Sequence, residues 1–266
     1  MATFPEFNDI GVTVDGHVAT IEIQRPPHNF FDYALIQQIA TAMEAIDGDG
    51  NLRAAVLCSA GKSFCAGANF SSDGTSNSEQ KTDGDGTPAN HLYVEAVRLF
   101  STKTPIVGAV QGAAIGGGLG LCLVPDFRVA APEARFAANF TRLGFHPGFG
   151  LTHTLPALIG QQRANLMFYT SRRIKGEEAA AWGLADMLVP LNEVRGAAQS
   201  LAAEIAENSP LGVIETRATM RQGLADRVRK ATDHELVVQN ELRQTEDFKE
   251  GIRATSERRV PNFQGR

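Results

Sequence analysis

The first part of the chain alternates short apolar segments with one amphipathic stretch, a pattern typical of a mixed α/β protein. Residues Val18–Ile23 follow the turn-forming pair Asp15-Gly16 and predict a β-strand. Residues 53–58 form a second short apolar run and predict another strand. Between them, Asp32 is a candidate N-cap for a helix that runs to about Ile46. Its apolar positions have helical spacing: Leu35, Ile36, Ile39, Met43 and Ile46.

The pattern changes in residues 71–90, where SSDGTSNSEQKTDGDGTPAN is polar, rich in glycine and almost free of large apolar side chains. Such a segment buries too little apolar surface to order itself, so we predict a mobile surface loop that could act as a lid. The chain then predicts a helix over 91–101, a short buried helix over 119–123, and three strands: Ile106–Val110, Phe127–Ala130 and Arg135–Ala137.

Beyond residue 151 the pattern is mainly helical. Ser209-Pro210 predicts a helix start, because serine is a favoured N-cap and proline suits the first helical position. Residues 232–259 predict an amphipathic helix interrupted near Asp247. We therefore expect an α/β core over residues 1–200 and a helical region over residues 201–266.

Composition narrows the classes of function. The chain has 266 residues, of which 43% are hydrophobic and 21% are charged, as in ordinary globular proteins. Its formal net charge of −5 gives no chain-wide basic footprint, so we expect no nucleic-acid partner. The N-terminal segment is too polar for a signal peptide and no apolar run reaches about 18 residues, so we expect no membrane partner. Three cysteines without disulfide or metal-ligand spacing favour a reducing, cytoplasmic setting: Cys58, Cys65 and Cys122.

Two glycine-bearing segments carry the candidate chemistry. Residues 64–68 read FCAGA after a predicted strand, and Gly116-Gly117-Gly118 lies between a strand and an apolar helical segment. Small residues let the backbone approach a ligand closely, and amides at such turns can donate hydrogen bonds to it. Either segment alone is compatible with an ordinary tight turn. The triplet is not a Walker motif, because no Gly-Lys-Ser/Thr follows it.

Taken together, these segments resemble the enoyl-CoA hydratase/isomerase (crotonase) family. FCAGANF followed by VQGAAIGGGLG has the order found in that family. The resemblance covers nearly the whole chain. Further matching segments are Arg25-Pro26 with Asn29, PDFRVA at 125–130, LGFHPG at 143–148, AAAWGLADMLVP at 179–190 and Pro261-Asn262-Phe263.

This resemblance implies a spiral of ββα units followed by a C-terminal helical trimerisation region that also closes the pocket. It implies a homotrimer or a dimer of trimers, an acyl-CoA thioester as the bound molecule, and no metal or cofactor beyond the coenzyme A of the substrate. The backbone amides of Ala68 and Gly117 would form an oxyanion hole for the thioester carbonyl. The implied substrate-binding positions are Arg25, which could meet the phosphates of coenzyme A, Ala66 near its nucleotide, and Asn69, Phe70, Gly116, Gly120 and Phe140.

The usual proton-transfer groups of the family are missing. Hydratases of the family add water with two glutamates, which fall here on Gly120 and Phe140, and isomerases often keep only the second. Neither residue can transfer a proton, which argues against the usual hydration and isomerisation. His146 is the candidate acid or base, because imidazole suits proton transfer near neutral pH, although a turn histidine held by the backbone is the alternative. Asp73 in the polar loop could also reach the site.

Other polar side chains offer further alternatives. His91 and Glu95 share a helical face and could line the pocket, although an ordinary solvated pair is the simpler interpretation. His153 and Asp126 are expected to be structural. Cys65 is expected to be a buried, inert thiol.

Three functions are compatible with these residues. The first is an acyl-CoA enzyme whose oxyanion hole stabilises an enolate or tetrahedral oxyanion, in thioester hydrolysis, retro-aldol or retro-Claisen cleavage, or decarboxylation. Decarboxylation demands the least, because its enolate forms without removal of a proton. The second is a non-catalytic acyl-CoA-binding protein, and the third is an enoyl-CoA hydratase that uses an unrecognised acid or base. We prefer the first.

Overall fold

A computed structural model describes residues 3–70 and 91–266 of the protein. The loop predicted over residues 71–90, including Asp73, lies outside the described residues. The described residues contain ten strands: Ile10–Asp15 (β1), Val18–Ile23 (β2), Ala54–Ser59 (β3), Ser63–Cys65 (β4), Ile106–Val110 (β5), Ala113–Ile115 (β6), Phe127–Ala130 (β7), Arg135–Ala137 (β8), Ile174–Lys175 (β9) and Met187–Leu188 (β10).

The strands form two sheets. The larger sheet has six strands in the spatial order β1-β2-β3-β5-β7-β10, and the smaller has four in the order β4-β6-β8-β9. Within these sheets β1 and β9 run antiparallel to their neighbours, and the other pairs are parallel. The parallel strands β4, β6 and β8 therefore all end at one edge of the smaller sheet.

The described helices are Tyr33–Asp47 (α1), Leu92–Phe100 (α2), Gly117–Cys122 (α3), Leu151–Ile159 (α4), Gln161–Thr170 (α5), Gly176–Trp182 (α6), Val194–Ala206 (α7), Pro210–Met220 (α8), Leu224–Leu242 (α9) and Glu246–Ser256 (α10). Single 3₁₀ turns occupy Thr141–Leu143 and Leu191–Glu193. The strands β3, β5 and β7 each lie in the larger sheet, and the strand that follows each of them lies in the smaller one. Helices α2 and α3 follow the first two pairs, which confirms the predicted spiral of ββα units.

Helix α1 begins at its predicted cap. The Asp32 carboxylate accepts a hydrogen bond from the Leu35 amide at 2.9 Å, which satisfies one of the free donors at the helix start. The predicted apolar face is buried in the main core, against the larger sheet. The start predicted at Ser209 is also confirmed, because its hydroxyl accepts from the Gly212 amide at the beginning of α8.

The larger sheet is covered on both faces. One face packs in the main core with α1, and the other contacts α7. Ala198, Ala202 and Ala206 recur every fourth residue of α7 and form a stripe of small side chains toward the sheet. Burial on both faces explains why β5, and β3 except for its last residue Ser59, are apolar rather than alternating.

The C-terminal helices differ in part from their prediction. The helix predicted from residue 232 is α9, which begins at Leu224 after Gly223, and the break falls at residues 243–245 rather than at Asp247. Thr245 defines that break, because its hydroxyl accepts from the Phe248 amide and caps α10. The boundary predicted between residues 200 and 201 falls inside α7, and the division into two regions stays a prediction.

Candidate active site

A cavity of about 990 Å³ follows the strands of the smaller sheet. At the starts of these strands it is lined by Lys62, Glu133 and Arg135, which we call the charged end. At the strand ends it meets the two glycine-bearing loops. Beyond them the wall is formed by a group that we call the aromatic end: Phe70, Tyr93, Phe140, Phe145 and Arg243.

The first loop follows β4 directly. The Ala66 amide donates to the His28 carbonyl at 2.9 Å, and the Phe31 amide donates to the Gly67 carbonyl at 3.0 Å. Gly67 has φ +86°, and a Cβ atom there would lie 2.6 Å from the Ile115 carbonyl oxygen, so only glycine fits. Within the described residues the Ala68 amide donates no backbone hydrogen bond, and Ala68 lines the cavity.

The second loop follows β6. The Gly116 amide donates to the Ala137 carbonyl at 2.8 Å, and its φ of +57° turns the chain into α3. Gly117 is the first residue of α3, so its amide has no partner within the helix. The Cβ position at Gly67 lies 3.8 Å from the Gly117 nitrogen, which places the two loops side by side. The structure thus brings Ala68 and Gly117 to one cavity wall, and their role as an oxyanion hole stays a prediction.

Aromatic side chains form the wall beside the two loops. Phe140 lines the cavity and meets Phe145 edge-on at 5.4 Å between ring centroids. Phe70 meets Phe145 at 5.9 Å in the same manner. Asn69, Ala66 and Gly116 also line the cavity, and their contact with a ligand stays a prediction.

Gly120 does not line the cavity, contrary to its prediction as a substrate contact. It is fully buried in α3, and a Cβ atom there would lie 2.6 Å from Cβ of Phe149. The Phe149 ring therefore occupies the space beside this position. No side chain fits at residue 120 without displacement of Phe149.

Arg25 is likewise not among the cavity-lining residues, although it was expected to meet phosphates. Its guanidinium donates twice to Asp9, at 2.7 Å each, and forms an ion pair with Asp32 at 2.8 Å. Its hydrogen bond to Asp9 raises the pKa of Arg25, and Asp32 adds to that effect against burial. Arg25 thus ties the segment before β1 to the cap of α1, a structural position.

His146 is held by the backbone instead of facing the cavity. Its Nδ1 lies 2.8 Å from the Pro147 carbonyl, and its ring packs edge-on against His234 at 5.9 Å. Its own carbonyl accepts from Gln239 at 2.8 Å. His146 is not among the lining residues, so this geometry corresponds to the turn histidine and gives no support to its role as acid or base.

Two histidines line the cavity, His28 and His91, and His91 lies at the start of α2. It caps this helix, because its Nδ1 accepts from the Tyr93 amide at 3.1 Å. Burial lowers the pKa of His91 to about 4, so the ring is neutral near pH 7. With Nδ1 as acceptor, the neutral ring carries its proton on Nε2 and is a hydrogen-bond donor, not a base.

Of the two residues that could line the pocket or form a solvated pair, His91 lines the cavity and Glu95 does not, and the solvated pair is not formed. Glu95 is buried and instead accepts from the Tyr33 hydroxyl at 3.0 Å and pairs with Arg98. The helical spacing was correct, but the helix turns Glu95 into the core while His91 lies at the cap.

The three residues that were expected to be structural or inert, Asp126, His153 and Cys65, make contacts within the fold. Asp126 accepts from the Ile106 amide at 2.9 Å and pairs with Arg217 and Arg221, which lower its pKa although burial acts to raise it. His153 contacts Arg227 on α9. Burial raises the pKa of Cys65 to about 12, which keeps this thiol protonated and inert.

Sequence reasoning missed two cavity residues at the aromatic end. The Tyr93 hydroxyl donates to Gln239 at 2.9 Å, and burial raises the pKa of this tyrosine. Arg243 follows α9 and reaches the cavity because α9 packs across α2. Both are far from the glycine loops in sequence, so no local pattern could have identified them. The amphipathic pattern predicted over residues 232–259 indicated only that this helix packs on the core, and did not show that Arg243 reaches the cavity.

The residues that the structure describes offer neither a metal site nor a membrane span. These residues contain no group of three or more histidine, cysteine, aspartate or glutamate side chains arranged to hold a metal ion. No described helix is both long and apolar enough to cross a membrane.

The chain matches known proteins over almost its whole length. Residues 13–266 match the family model for enoyl-CoA hydratase/isomerase. The probable enoyl-CoA hydratase EchA14 of Mycobacterium tuberculosis is 34% identical over 242 residues, covering 89% of this chain and 91% of that protein. The short-chain-enoyl-CoA hydratase of Clostridium acetobutylicum is 30% identical, covering 98% of this chain and 100% of that protein.

A solved structure gives the same result for the fold. The enoyl-CoA hydratase/isomerase from Pseudoalteromonas atlantica T6c superposes with a TM-score of 0.84 at 27% sequence identity, covering 97% of this chain and 100% of that chain. The alternation of strands between two sheets is thus the crotonase-like fold. From its sequence and its fold, the chain belongs to the enoyl-CoA hydratase/isomerase family.

Proposed function

We propose that the protein binds an acyl-CoA thioester in this cavity and stabilises negative charge on the thioester oxygen with the amides of Ala68 and Gly117. The observation that carries the proposal is the meeting of the two loops on one wall, with these amides available as donors. Two preorganised donors stabilise an enolate or a tetrahedral oxyanion more than the ground-state carbonyl, because the charge develops only along the reaction.

The proposed reaction does not use the hydratase carboxylate pair. Position 140 is a phenylalanine in an aromatic wall, and position 120 is covered by Phe149. The carboxylate among the described lining residues is Glu133, at the charged end. These features favour a reaction in which the oxyanion forms without proton abstraction by a side-chain carboxylate, as in C–C cleavage, decarboxylation or thioester hydrolysis.

Decarboxylation makes the least demand on the described residues. The bond to the carboxylate carbon breaks, its electron pair enters the enolate, carbon dioxide leaves, and water can later supply the proton. The neutral His91 ring offers a donor at the cavity wall but no base. This combination stabilises negative charge without removing a proton.

A non-catalytic acyl-CoA-binding protein is the second candidate. It is favoured by Gly120 and Phe140, because neither residue can transfer a proton. The two candidates separate in one experiment on the purified protein. Calorimetry measures binding of butyryl-CoA. Turnover is then measured for hydration with crotonyl-CoA and for C–C cleavage with 3-hydroxybutyryl-CoA and acetoacetyl-CoA. Decarboxylation is measured with malonyl-CoA and thioester hydrolysis with butyryl-CoA. We expect binding, no efficient hydration, and turnover in one of the other classes. Binding without any turnover would favour the non-catalytic candidate, and efficient hydration would contradict the proposal.

The oxyanion hole is tested by removing one amide donor. Ala68→Pro replaces the N–H at position 68, and we expect turnover to fall about 10²–10³-fold. Ala68→Ser keeps the amide and is the matched control. The equivalent change at Gly117 is unsuitable, because a Cβ atom there would lie 2.3 Å from Cζ of Phe31. Equal turnover in the two variants would contradict the role of the Ala68 amide.

We further propose a cytoplasmic homotrimer or dimer of trimers that needs no metal or cofactor besides the coenzyme A of its substrate. Assembly is supported by large apolar side chains in the C-terminal part with more than half of their surface exposed: Leu211 at 74%, Met220 at 80%, Val237 at 57% and Val260 at 74%. Free, buried cysteines agree with a reducing setting. Light scattering that shows a monomer, or turnover lost after treatment with a chelator, would contradict these proposals.

A further inference from the structure

Four phenylalanine rings meet edge-on at the aromatic end of the cavity. The centroid of the Phe145 ring lies 5.4 Å from that of Phe140 and 5.9 Å from that of Phe70. Phe248 on α10 adds a fourth ring, 5.4 Å from Phe145 and 6.3 Å from Phe70. Edge-to-face pairs of this kind are favoured by the charge distribution of aromatic rings. Three of the rings line the cavity, so a further ring on the cavity side can extend the cluster: Phe70, Phe140 and Phe145.

Two other rings lie beside the proposed oxyanion hole. Phe31 and Phe149 both line the cavity, and their ring centroids are 5.7 Å apart. A Cβ atom at Gly117 would lie 2.3 Å from Cζ of Phe31, and one at Gly116 would lie 3.8 Å from Cζ of Phe140. Aromatic carbon therefore packs against the segment that carries the Gly117 amide. An acyl group held by that amide would lie next to these rings.

The Tyr93 hydroxyl, a polar group at the aromatic end, already has a partner. It donates to Gln239 at 2.9 Å, and the Gln239 amide donates in turn to the His146 carbonyl at 2.8 Å. The hydroxyl therefore needs no hydrogen bond from an acyl group. What Tyr93 adds to the cavity wall is its ring, which meets the His91 ring edge-on at 4.5 Å.

We propose that the cavity accepts thioesters of aromatic acids, whose ring extends the edge-to-face cluster of Phe70, Phe140 and Phe145. The proposal rests on the proposed acyl-CoA function and names its substrate class. An aryl ring presents a positive edge and a negative face to its neighbours, so each ring pair contributes beyond the burial of apolar area. A saturated ring of equal carbon number lacks this charge distribution and gains burial alone.

Calorimetry tests the proposal by comparing each aryl thioester with its saturated counterpart. The pairs are benzoyl-CoA with cyclohexanecarbonyl-CoA, phenylacetyl-CoA with cyclohexylacetyl-CoA, and 3-phenylpropionyl-CoA with 3-cyclohexylpropionyl-CoA. Coenzyme A is the same in both members, so its own contribution to binding cancels. For at least one pair we expect the aryl thioester to bind about 3- to 10-fold more tightly. Burial alone would give the opposite order, because the saturated ring carries more apolar surface.

Variants assign this preference to the ring cluster. Phe140→Leu keeps an apolar side chain but removes the ring, and should reduce the aryl preference at least about 2-fold through weaker binding of the aryl member. Phe127→Leu is the matched control and should keep the preference, because Phe127 is an exposed ring on β7 that does not line the cavity. If Phe140→Leu fails to fold, Phe70→Leu makes the same test at a ring that is only partly buried.

The outcomes are distinct. Equal binding of both members of every pair to the native protein, or tighter binding of the saturated members, would overturn the aromatic-acyl proposal while leaving acyl-CoA binding intact. An aryl preference that is unchanged in both Phe140→Leu and Phe70→Leu would show that it does not arise from the ring cluster, and would also overturn the proposal. Failure of all thioesters to bind the native protein would overturn the proposed function itself.

Discussion

The Phe149 side chain covers Gly120: a Cβ atom on this glycine would lie 2.6 Å from Cβ of Phe149 and 2.7 Å from its ring. Gly120 stands where hydratases of the family were expected to carry a glutamate. At this position an aromatic ring takes the space that a side chain would need. Placing an acid here would require Phe149 to move as well.

The contact between Gly120 and Phe149 predicts how far an added methyl group at residue 120 lowers the free energy of unfolding. Gly120→Ala should lower the free energy of unfolding by about 1–3 kcal/mol, because the added carbon overpacks a buried site. Gly196→Ala is the control, since Gly196 lies in α7 with no atom within 4 Å of its Cβ position. That control should be neutral or stabilising by up to about 1 kcal/mol. Urea unfolding of both variants measures the difference, and a neutral Gly120→Ala would show that Phe149 yields freely.

Position 140 should accept a proton-transfer group, in contrast to position 120. Phe140 lines the cavity, so Phe140→Glu can direct a carboxylate toward bound acyl groups. We expect exchange of the α-proton of butyryl-CoA in deuterated water to rise by about 10²-fold or more, as general bases typically contribute. Phe140→Gln, which has the same shape without the base, should show no increase. Equal exchange in both variants would mean that residue 140 does not face the α-carbon.

His91 should make stability depend on pH in a specific direction. Burial holds its pKa at about 4 in the folded protein, against a usual value of 6.5. Between these values the unfolded chain binds a proton that the folded protein does not, so the free energy of unfolding falls as the pH falls from 6.5 to 4. The contribution of this group approaches about 1.4 kcal/mol per pH unit.

The matched variant is His91→Asn, because asparagine can still cap α2 but does not titrate. Urea unfolding at several pH values should give a shallower loss of stability for His91→Asn than for the native protein. Parallel curves for the two proteins would contradict the depressed pKa of His91.

Arg25 should be required for stability and not for coenzyme A binding. Arg25→Met removes the hydrogen bonds to Asp9 and the ion pair with Asp32, and should lower the free energy of unfolding by about 1–3 kcal/mol. Arg195→Met, which breaks the more exposed pair with Glu22, should cost no more than about 1 kcal/mol. A loss of butyryl-CoA affinity in Arg25→Met with unchanged stability would instead restore Arg25 to the predicted phosphate site.

Much of the fold could be predicted because its elements carry strong local patterns. The cap at Asp32, the apolar strands and the Ser209-Pro210 helix start all depend on neighbouring residues. The strands β4 and β6 were missed, although β8, which is equally short, was predicted. Their place in the smaller sheet is set by pairing with distant segments.

The candidate site was predicted less completely because its walls come from distant parts of the chain. Sequence order placed His146 near the glycine loops, but the turn at Pro147 holds its ring against the backbone. Tyr93 and Arg243 reach the cavity only through the packing of α9 on α2. Arg25 was assigned by motif position alone, and its two carboxylate partners become evident only in the folded chain.

The central claim is that the amides of Ala68 and Gly117 polarise a thioester carbonyl, and infrared spectroscopy tests it most directly. The carbonyl stretch of butyryl-CoA labelled with ¹³C at the thioester carbon is recorded free and bound to the native protein, to Ala68→Ser and to Ala68→Pro. We predict a shift to lower frequency on binding to the first two proteins and a clearly smaller shift with Ala68→Pro, because one donor is lost. A bound carbonyl whose frequency equals that of the free thioester, or equal shifts in all three proteins, would contradict the claim.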